Sequence, residues 1–436
     1  MPYSQSIDLC LAEEIGDCGL GRAELDEALA VAGPALDSLK SSLGDGSLSL
    51  LNLPSRTRDL DEGRAAVDAL ARGAGDIVLL GTGGSSLGAQ ALAGFAAGRP
   101  RSADPPRPRL HFADNLDPYS MDALLRDLDL KTTRFLVVSK SGGTPETMIQ
   151  LLAVLDALKE SGLDWNAEHH ILAISDPGAQ DASALRRICG FHHIPVLDHD
   201  PGIGGRYSVL SNVGMLPAML LGLDPLALRA GAGEVVQALA GAASPRDCPP
   251  VLAAALHAAF LGRRGLATTV FMPYADRLRV FSSWFVQLWA ESLGKQGTGL
   301  TPIAAAGPVD QHSQLQLFLD GPADKFYTIV MLEVAGTGPR IDAAYINDPK
   351  VGYLAGKTIG DLVDCEQRAT AQTLARRGRP VRVIRLGEMT ERTLGALFMH
   401  FMLETIATGR ILGLDPFDQP AVEEGKLLAR DYLGQM

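Results

Sequence analysis

From Asp76 onward the chain alternates short apolar runs with longer spans of helical periodicity, and few folds accommodate that pattern. The runs lie at 77–80, 110–112, 135–138, 171–174 and 194–197. Near-continuous apolar strands must be covered on both faces, and crossover helices supply the cover, so the pattern predicts a parallel sheet between helices. A break at 243–250, with SPRDCPP at its centre, reads as a linker. Beyond it a second series follows, with strands predicted at 268–272, 326–332 and 381–386. A chain of 436 residues exceeds one ordinary core. The expected organisation is therefore an N-terminal helical lead-in over 1–60, an α/β domain over 61–242, a second α/β domain over 251–390, and a helical segment over 391–436.

Charge narrows the partners. A formal charge of −12 and a pI near 5.2 argue against non-specific binding to nucleic acid or to anionic membranes, while a local basic pocket for a small anion stays open. Cys10, Cys18, Cys189, Cys248 and Cys365 are scattered, with no CxxC and no histidine at zinc spacing. They fit a reducing cytoplasm and no metal-ligand cluster. The N-terminus has acidic residues and no apolar stretch of signal length. The longest apolar runs, at 213–223 and 251–262, are interrupted by Pro217 and His257 and are too short to span a bilayer. A cytoplasmic protein without a membrane segment is expected.

Two strand-to-helix turns carry ligand chemistry. After 77–80 comes GTGGSSLG, where Gly84 and Ser85 lie in a turn that lets backbone approach a ligand. A dinucleotide fingerprint would need a third glycine at Ser86, so an NAD-dependent dehydrogenase is disfavoured. After 135–138 comes SKSGGTPET, in which Ser139, Ser141, Thr144 and Thr147 supply hydroxyls and Lys140 a charge. Thr144 suits an N-cap and Pro145 a first helical position, which leaves backbone N–H groups for a phosphate.

The stretch FSSWFVQLWAESLGK puts Phe281, Trp284, Phe285, Leu288 and Trp289 on one face of a helix. At about 100° per residue Gln287 and Glu291 share the border of that buried stripe. Glu291 is placed to act as a general base, or else to form an i,i+4 ion pair with Lys295. Elsewhere GGRYS offers Arg206 to a developing negative charge, DQHS brings His312 near a helix start, and FDQPAVEEGK places Gln419 and Lys426 around a turn.

Taken in order, these stretches resemble the glucose-6-phosphate isomerase family, built of paired sugar-isomerase (SIS) domains, across most of residues 76–430. The resemblance implies two doubly wound, flavodoxin-like three-layer α/β domains with parallel sheets, plus terminal helices. It implies Glu291 as the base moving a proton between sugar C2 and C1, Arg206 at the enediolate, and His312 with Lys426 in ring opening. Gly84, Ser85, Ser139, Lys140, Ser141 and Thr144 would surround the phosphate, and Gln287 and Gln419 would position the sugar. No metal or cofactor is implied. The partners implied are a phosphorylated hexose and a second copy of the chain, in a homodimer with shared sites. Leu293 stands where the family often has Asn, and Pro420, Ala421 and Glu424 replace Trp, Gly and Leu of longer members. The alternatives are an enzyme that also takes mannose 6-phosphate, and a non-catalytic sugar-phosphate-binding regulator, which would need the phosphate loop but not Glu291, Arg206 and His312 together.

Overall fold

The computed structural model describes residues 1–97, 107–166, 169–179 and 183–436. A short strand β1 (Tyr3–Ser6) opens the chain. The first sheet follows, comprising β2 (Asp76–Leu80), β3 (Arg109–Ala113), β4 (Thr133–Val138), β5 (Ile171–Ser175) and β6 (Val196–Asp198), all parallel in the order β3-β2-β4-β5-β6. Val78 of β2 stands between His111 and Phe135, and β2 and β4 are buried throughout. The second sheet contains β7 (Thr268–Pro273), β8 (Thr301–Ala304), β9 (Lys325–Leu332) and β10 (Val381–Leu386), in the order β1-β10-β9-β7-β8. Only β1 is antiparallel, at the edge.

Both sheets wind alike. Each starts at a central strand, crosses to one side, then returns past the start to the other, so β2 and β7 occupy equivalent switch positions. The helices that follow them, Leu87–Ala96 and Arg279–Leu293, pack against each other; a Cβ at Gly94 would lie 3.3 Å from Val280 Cγ2. That seam fixes the glycine turn of one half beside the glutamate helix of the other.

The glutamate helix buries Phe281, Trp284, Phe285 and Trp289, as its spacing predicts. Phe285 stacks on Phe271 of β7 at 5.0 Å, and Phe281 meets Phe398 at the same separation. Each such side chain contributes about 1.5–3 kcal/mol by leaving water. Phe398 belongs to helix Glu391–Ile411, which is buried on every side from Thr393 to Gly409. Inside it Glu404 meets Arg382 of β10 at 2.7 Å, His257 at 2.9 Å and His400 at 3.0 Å. The other nitrogen of His400 takes the Tyr3 hydroxyl at 2.6 Å, tying β1 to this network.

The strands β1 and β8 were not expected. Tyr3–Ser6 is polar, and Thr301–Ala304 is four residues with an internal proline, so neither forms an apolar run. No helix among the described residues is long and apolar enough to cross a membrane.

Candidate active site

A cleft of about 860 Å³ opens at the carboxyl ends of β2 and β4. Ligands of open α/β sheets collect at such switch points. The glycine turn forms one wall with Thr82, Gly83, Gly84 and Ser85. Gly83 sits at φ +59°, and a Cβ at Gly84 would lie 2.3 Å from the carbonyl carbon of Gly205. Glycine at 84 thus lets the turn touch the GGRYS loop directly.

The phosphate loop forms the facing wall through Lys140, Ser141, Gly143 and Thr144. Helix Pro145–Glu160 starts there with proline in its first turn, so its N-terminal N–H groups and partial positive charge face the cleft. Thr144 occupies the N-cap position, but its hydroxyl accepts from Ser139 Oγ at 3.1 Å and does not cap the helix. Ser139 is buried and its oxygen also accepts from Gly142 N–H, so it shapes the loop from behind and is absent from the wall. Lys140 spends two N–H groups on the carbonyls of Pro201 and Ile203, at 2.8 and 2.9 Å. Burial lowers its pKa, with Asp176 and Asp200 opposing the shift.

Gln287 and Glu291 reach the cleft from the glutamate helix, with Gln287 Nε2 donating to Glu291 Oε2 at 3.1 Å. Gln287 Oε1 is buried without a partner and is an acceptor in waiting. Glu291 keeps 29% of its side chain exposed and pairs with Arg206 Nη1 at 3.2 Å. Its i,i+4 neighbour Lys295 turns instead to Asp418 Oδ1 at 2.5 Å and to the Asp415 carbonyl. The Glu291–Lys295 pair considered from sequence is therefore replaced by a lysine latch on the C-terminal strap, residues 415–419.

Arg206 is 4% exposed and is not on a free loop. Its Nε donates to Ser292 Oγ at 2.8 Å, and its Nη2 to the carbonyls of Pro416 and Asp418 at 2.8 and 3.0 Å. Nη1 donates to Gln419 Oε1 at 2.9 Å beside the Glu291 contact. The strap then leads into helix Glu423–Gly434, which has no buried residue. Lys426 lines the cleft from this helix, paired with Glu423 at 2.7 Å rather than with Glu424. Arg430, one turn on, also lines it, although the sequence reading passed over it. Its i,i+4 spacing from Lys426 was the available signal.

His312 is not brought to this cleft. It is exposed on the turn after Val309–Gln311. Asp310 Oδ2 accepts from Ala306 N at 2.6 Å, and Gln311 Nε2 donates to Tyr274 OH at 2.6 Å, so the turn is held firmly while its histidine faces outward. Ser292 and Tyr207 lie inside motifs singled out from sequence, but their part in holding Arg206 had no sequence signal: the contact joins residues 86 positions apart.

Comparison with known proteins gives the family of the chain. The phosphoglucose isomerase family model matches residues 61–308. A glucose-6-phosphate isomerase of Rubrobacter xylanophilus is 39% identical over 421 residues, 96% of this chain and 95% of that protein. The crystal structure of a hypothetical protein from Thermus thermophilus superposes with a TM-score of 0.84 at 32% identity and covers 99% of both chains. A glucose-6-phosphate isomerase of Chlamydia trachomatis, at 24% identity, shares the fold with a TM-score of 0.72 over 88% of this chain and 74% of its own. The family match takes in the glycine turn, the phosphate loop, Arg206 and Glu291, and the likeness extends along nearly the whole sequence: this chain belongs to the phosphoglucose isomerase family.

Proposed function

We infer that the chain interconverts glucose 6-phosphate and fructose 6-phosphate by proton transfer through a cis-enediol. The observation that carries this reading is one cleft holding both the hydroxyl loop at the N-terminus of helix Pro145–Glu160 and the Glu291 carboxylate. The loop would hold the phosphate, through Ser141, Thr144 and the helix N-terminus, in ground and transition states alike. Gln287 and Gln419 would orient the hydroxyls. Glu291 takes the proton from C2 and returns it to C1, while a hydroxyl proton moves from O2 to O1. C1 is reduced as C2 is oxidised, so the balance calls for no external oxidant.

Arg206 would stabilise the enediolate through Nη1, whose present acceptors are the Gln419 amide and Glu291 itself. As the substrate enters, exchange of one acceptor turns that nitrogen to the developing charge. Lys426 would assist ring opening from the exposed helix. His312 would do so across a symmetric homodimer, which fits its outward presentation on a braced turn.

The decisive test is conversion of fructose 6-phosphate with a chelator present and no nicotinamide, run for wild type and Glu291→Gln. A loss of at least about a hundredfold in kcat with little change in KM is expected for the variant. Near-normal turnover would remove Glu291 from the role. For the shared site, co-expressing Glu291→Gln and His312→Ala chains should restore about a quarter of wild-type activity, because half of random dimers are mixed and each has one intact site. Mixed dimers without recovery would return His312 to its own chain.

A further inference from the structure

We propose that Ser292 and Tyr207 are positioning residues that lock the Arg206 guanidinium, acting through Arg206 and not on the substrate. The proposal rests on the reading of Arg206 given above. Both residues are buried, Ser292 completely and Tyr207 to 1% exposure. Their hydrogen bonds have one consistent polarity. Arg206 Nε–H can only donate, so Ser292 Oγ accepts it at 2.8 Å. The Tyr207 hydroxyl donates to the Pro416 carbonyl at 3.2 Å, so at the 3.0 Å contact between the hydroxyls Ser292 donates and Tyr207 accepts. A relay runs from guanidinium to serine to phenol to strap carbonyl. Burial pushes the Tyr207 phenol up to about 12, so it keeps the proton this relay requires.

The consequence is geometric. Arginine has five N–H groups in a rigid fork, and here four hydrogen bonds hold it, to Ser292, the Pro416 and Asp418 carbonyls and Gln419, while Glu291 ion-pairs with Nη1 at 3.2 Å. Nε is committed to the buried Ser292, and Nη2 to the carbonyls of the buried Pro416 and of Asp418. Nη1 alone is left on the side of Glu291, and its direction follows from where Nε is pinned. Removing the Ser292 hydroxyl leaves Nε–H buried without an acceptor and the Tyr207 oxygen without its donor. The fork then hangs on the strap alone, through Pro416, Asp418 and Gln419, and can tilt about those bonds off the Glu291 side, while the strap loses one of its ties to the glutamate helix.

The test is steady-state kinetics on the full-length protein, with Tm recorded for each variant. Ser292→Ala is expected to lower kcat about ten- to a hundredfold while KM changes less than about threefold, and Tyr207→Phe to do the same by a smaller factor. In the double variant the losses should not multiply, because one relay is broken twice. In an Arg206→Lys background, itself impaired, Ser292→Ala should cost less than about twofold further. A purely structural serine would lower kcat by the same factor in both backgrounds, and that result overturns the proposal. So does a folded Ser292→Ala protein with unchanged kcat while Arg206→Lys is impaired. An Arg206→Lys enzyme at full activity would instead sink the reading of Arg206 itself, and the positioning role with it.

Discussion

The two sheets share a winding order, yet their switch-point crevices have opposite fates. At the end of β2 the chain turns through glycines, one at φ +59° and one against the Gly205 backbone, and the crevice stays open to a ligand. At the end of β7 the equivalent turn reads Pro273, Tyr274, Ala275, and the buried Tyr274 narrows the crevice to a hollow of about 280 Å³ between it and Leu332 and Val334, against about 860 Å³ in the first half. Its hydroxyl donates to Thr370 Oγ1 at 2.7 Å and accepts from Gln311, and Gly307 covers its ring, where a Cβ would lie 2.5 Å away. One half therefore opens a wide cleft at the carboxyl ends of its strands. The other would contribute function through the helix beyond its narrowed crevice, where the buried polar groups around Tyr274 hold the fold together. The lesson is that equal topology places a crevice, and the residues of a single turn decide whether it is a site.

The sharpest contrast to break is cohesion against chemistry. Glu404 neutralises Arg382 in a fully buried network, so Glu404→Gln should destabilise the fold by about 3–5 kcal/mol by leaving that charge uncompensated, as expected for breaking a buried pair. Measured by denaturant unfolding at a temperature where the variant stays folded, this should come with kcat close to wild type. A variant of normal stability and low kcat would place chemistry in the second core. The same network sets a pH dependence. Burial lowers the pKa of His257 and His400, each partly offset by the Glu404 hydrogen bond. The unfolded chain, with histidines near about 6.5, therefore binds more protons below that pH, and stability present above it is lost as pH falls. Burial would raise Glu404, but Arg382 and the two histidines outweigh it and hold the group well below the ordinary range, so a second loss begins below about 4.3. Thermal melts from pH 7 to 5 should fall less steeply for His257→Gln with His400→Gln than for wild type.

Gly84→Ala tests the open crevice. Its Cβ would meet Gly205 C at 2.3 Å and Arg206 N at 2.5 Å, both backbone atoms that cannot swing away. The glycine turn and the GGRYS loop must separate, which displaces Arg206; kcat/KM should fall about a hundredfold, or about 2.7 kcal/mol, in a protein that still folds. An active variant would show that the seam tolerates separation and that the close approach is only packing. A smaller effect should follow Ser141→Ala with Thr144→Ala: KM rising about tenfold with kcat little changed, since these hydroxyls would grip the phosphate throughout the reaction. An unchanged KM would leave the loop as an ordinary helix start.

What the sequence made legible was whatever repeats locally. The apolar runs of β2, β4 and β9 and the stripe of the glutamate helix are periodic, and the glycine turn and SKSGGTPET place their donors within a few residues. The strands that escaped, β1 and β8, are short and lack such a run, and β1 owes its place to pairing with Val383–Leu386 far along the chain. The state of Arg206 escaped for the same reason. Its partners lie on the glutamate helix and on the strap, with sequence separations of 86 and 210 for Ser292 and Pro416. The expectation of four hydroxyls around a phosphate also needed the fold: Ser139 and Ser141 are two residues apart, and one backs the loop while the other lines it.

The smallest expected effect bears on Tyr274 itself. Tyr274→Phe keeps the ring that narrows the second crevice and removes only the hydroxyl, which burial holds as a protonated phenol. Gln311 Nε2 retains Thr370 Oγ1 at 2.5 Å, so the loss is one hydrogen bond to each neighbour and about 1 kcal/mol in unfolding. The fold should therefore survive with the crevice still narrow. Gln311, however, immediately precedes His312, and its amide is what ties that turn to helix Ile359–Arg376. If His312 serves a neighbouring site, loosening the turn should lower kcat a few-fold while KM for the phosphorylated sugar stays constant, because the phosphate would be held by the other half of the molecule. If the second crevice is purely structural, kcat will follow stability alone and return to wild type on cooling well below the melting transition. Kinetics of Tyr274→Phe at two temperatures, set beside its unfolding curve, distinguish these outcomes. Only the first makes the narrowed crevice part of an active site.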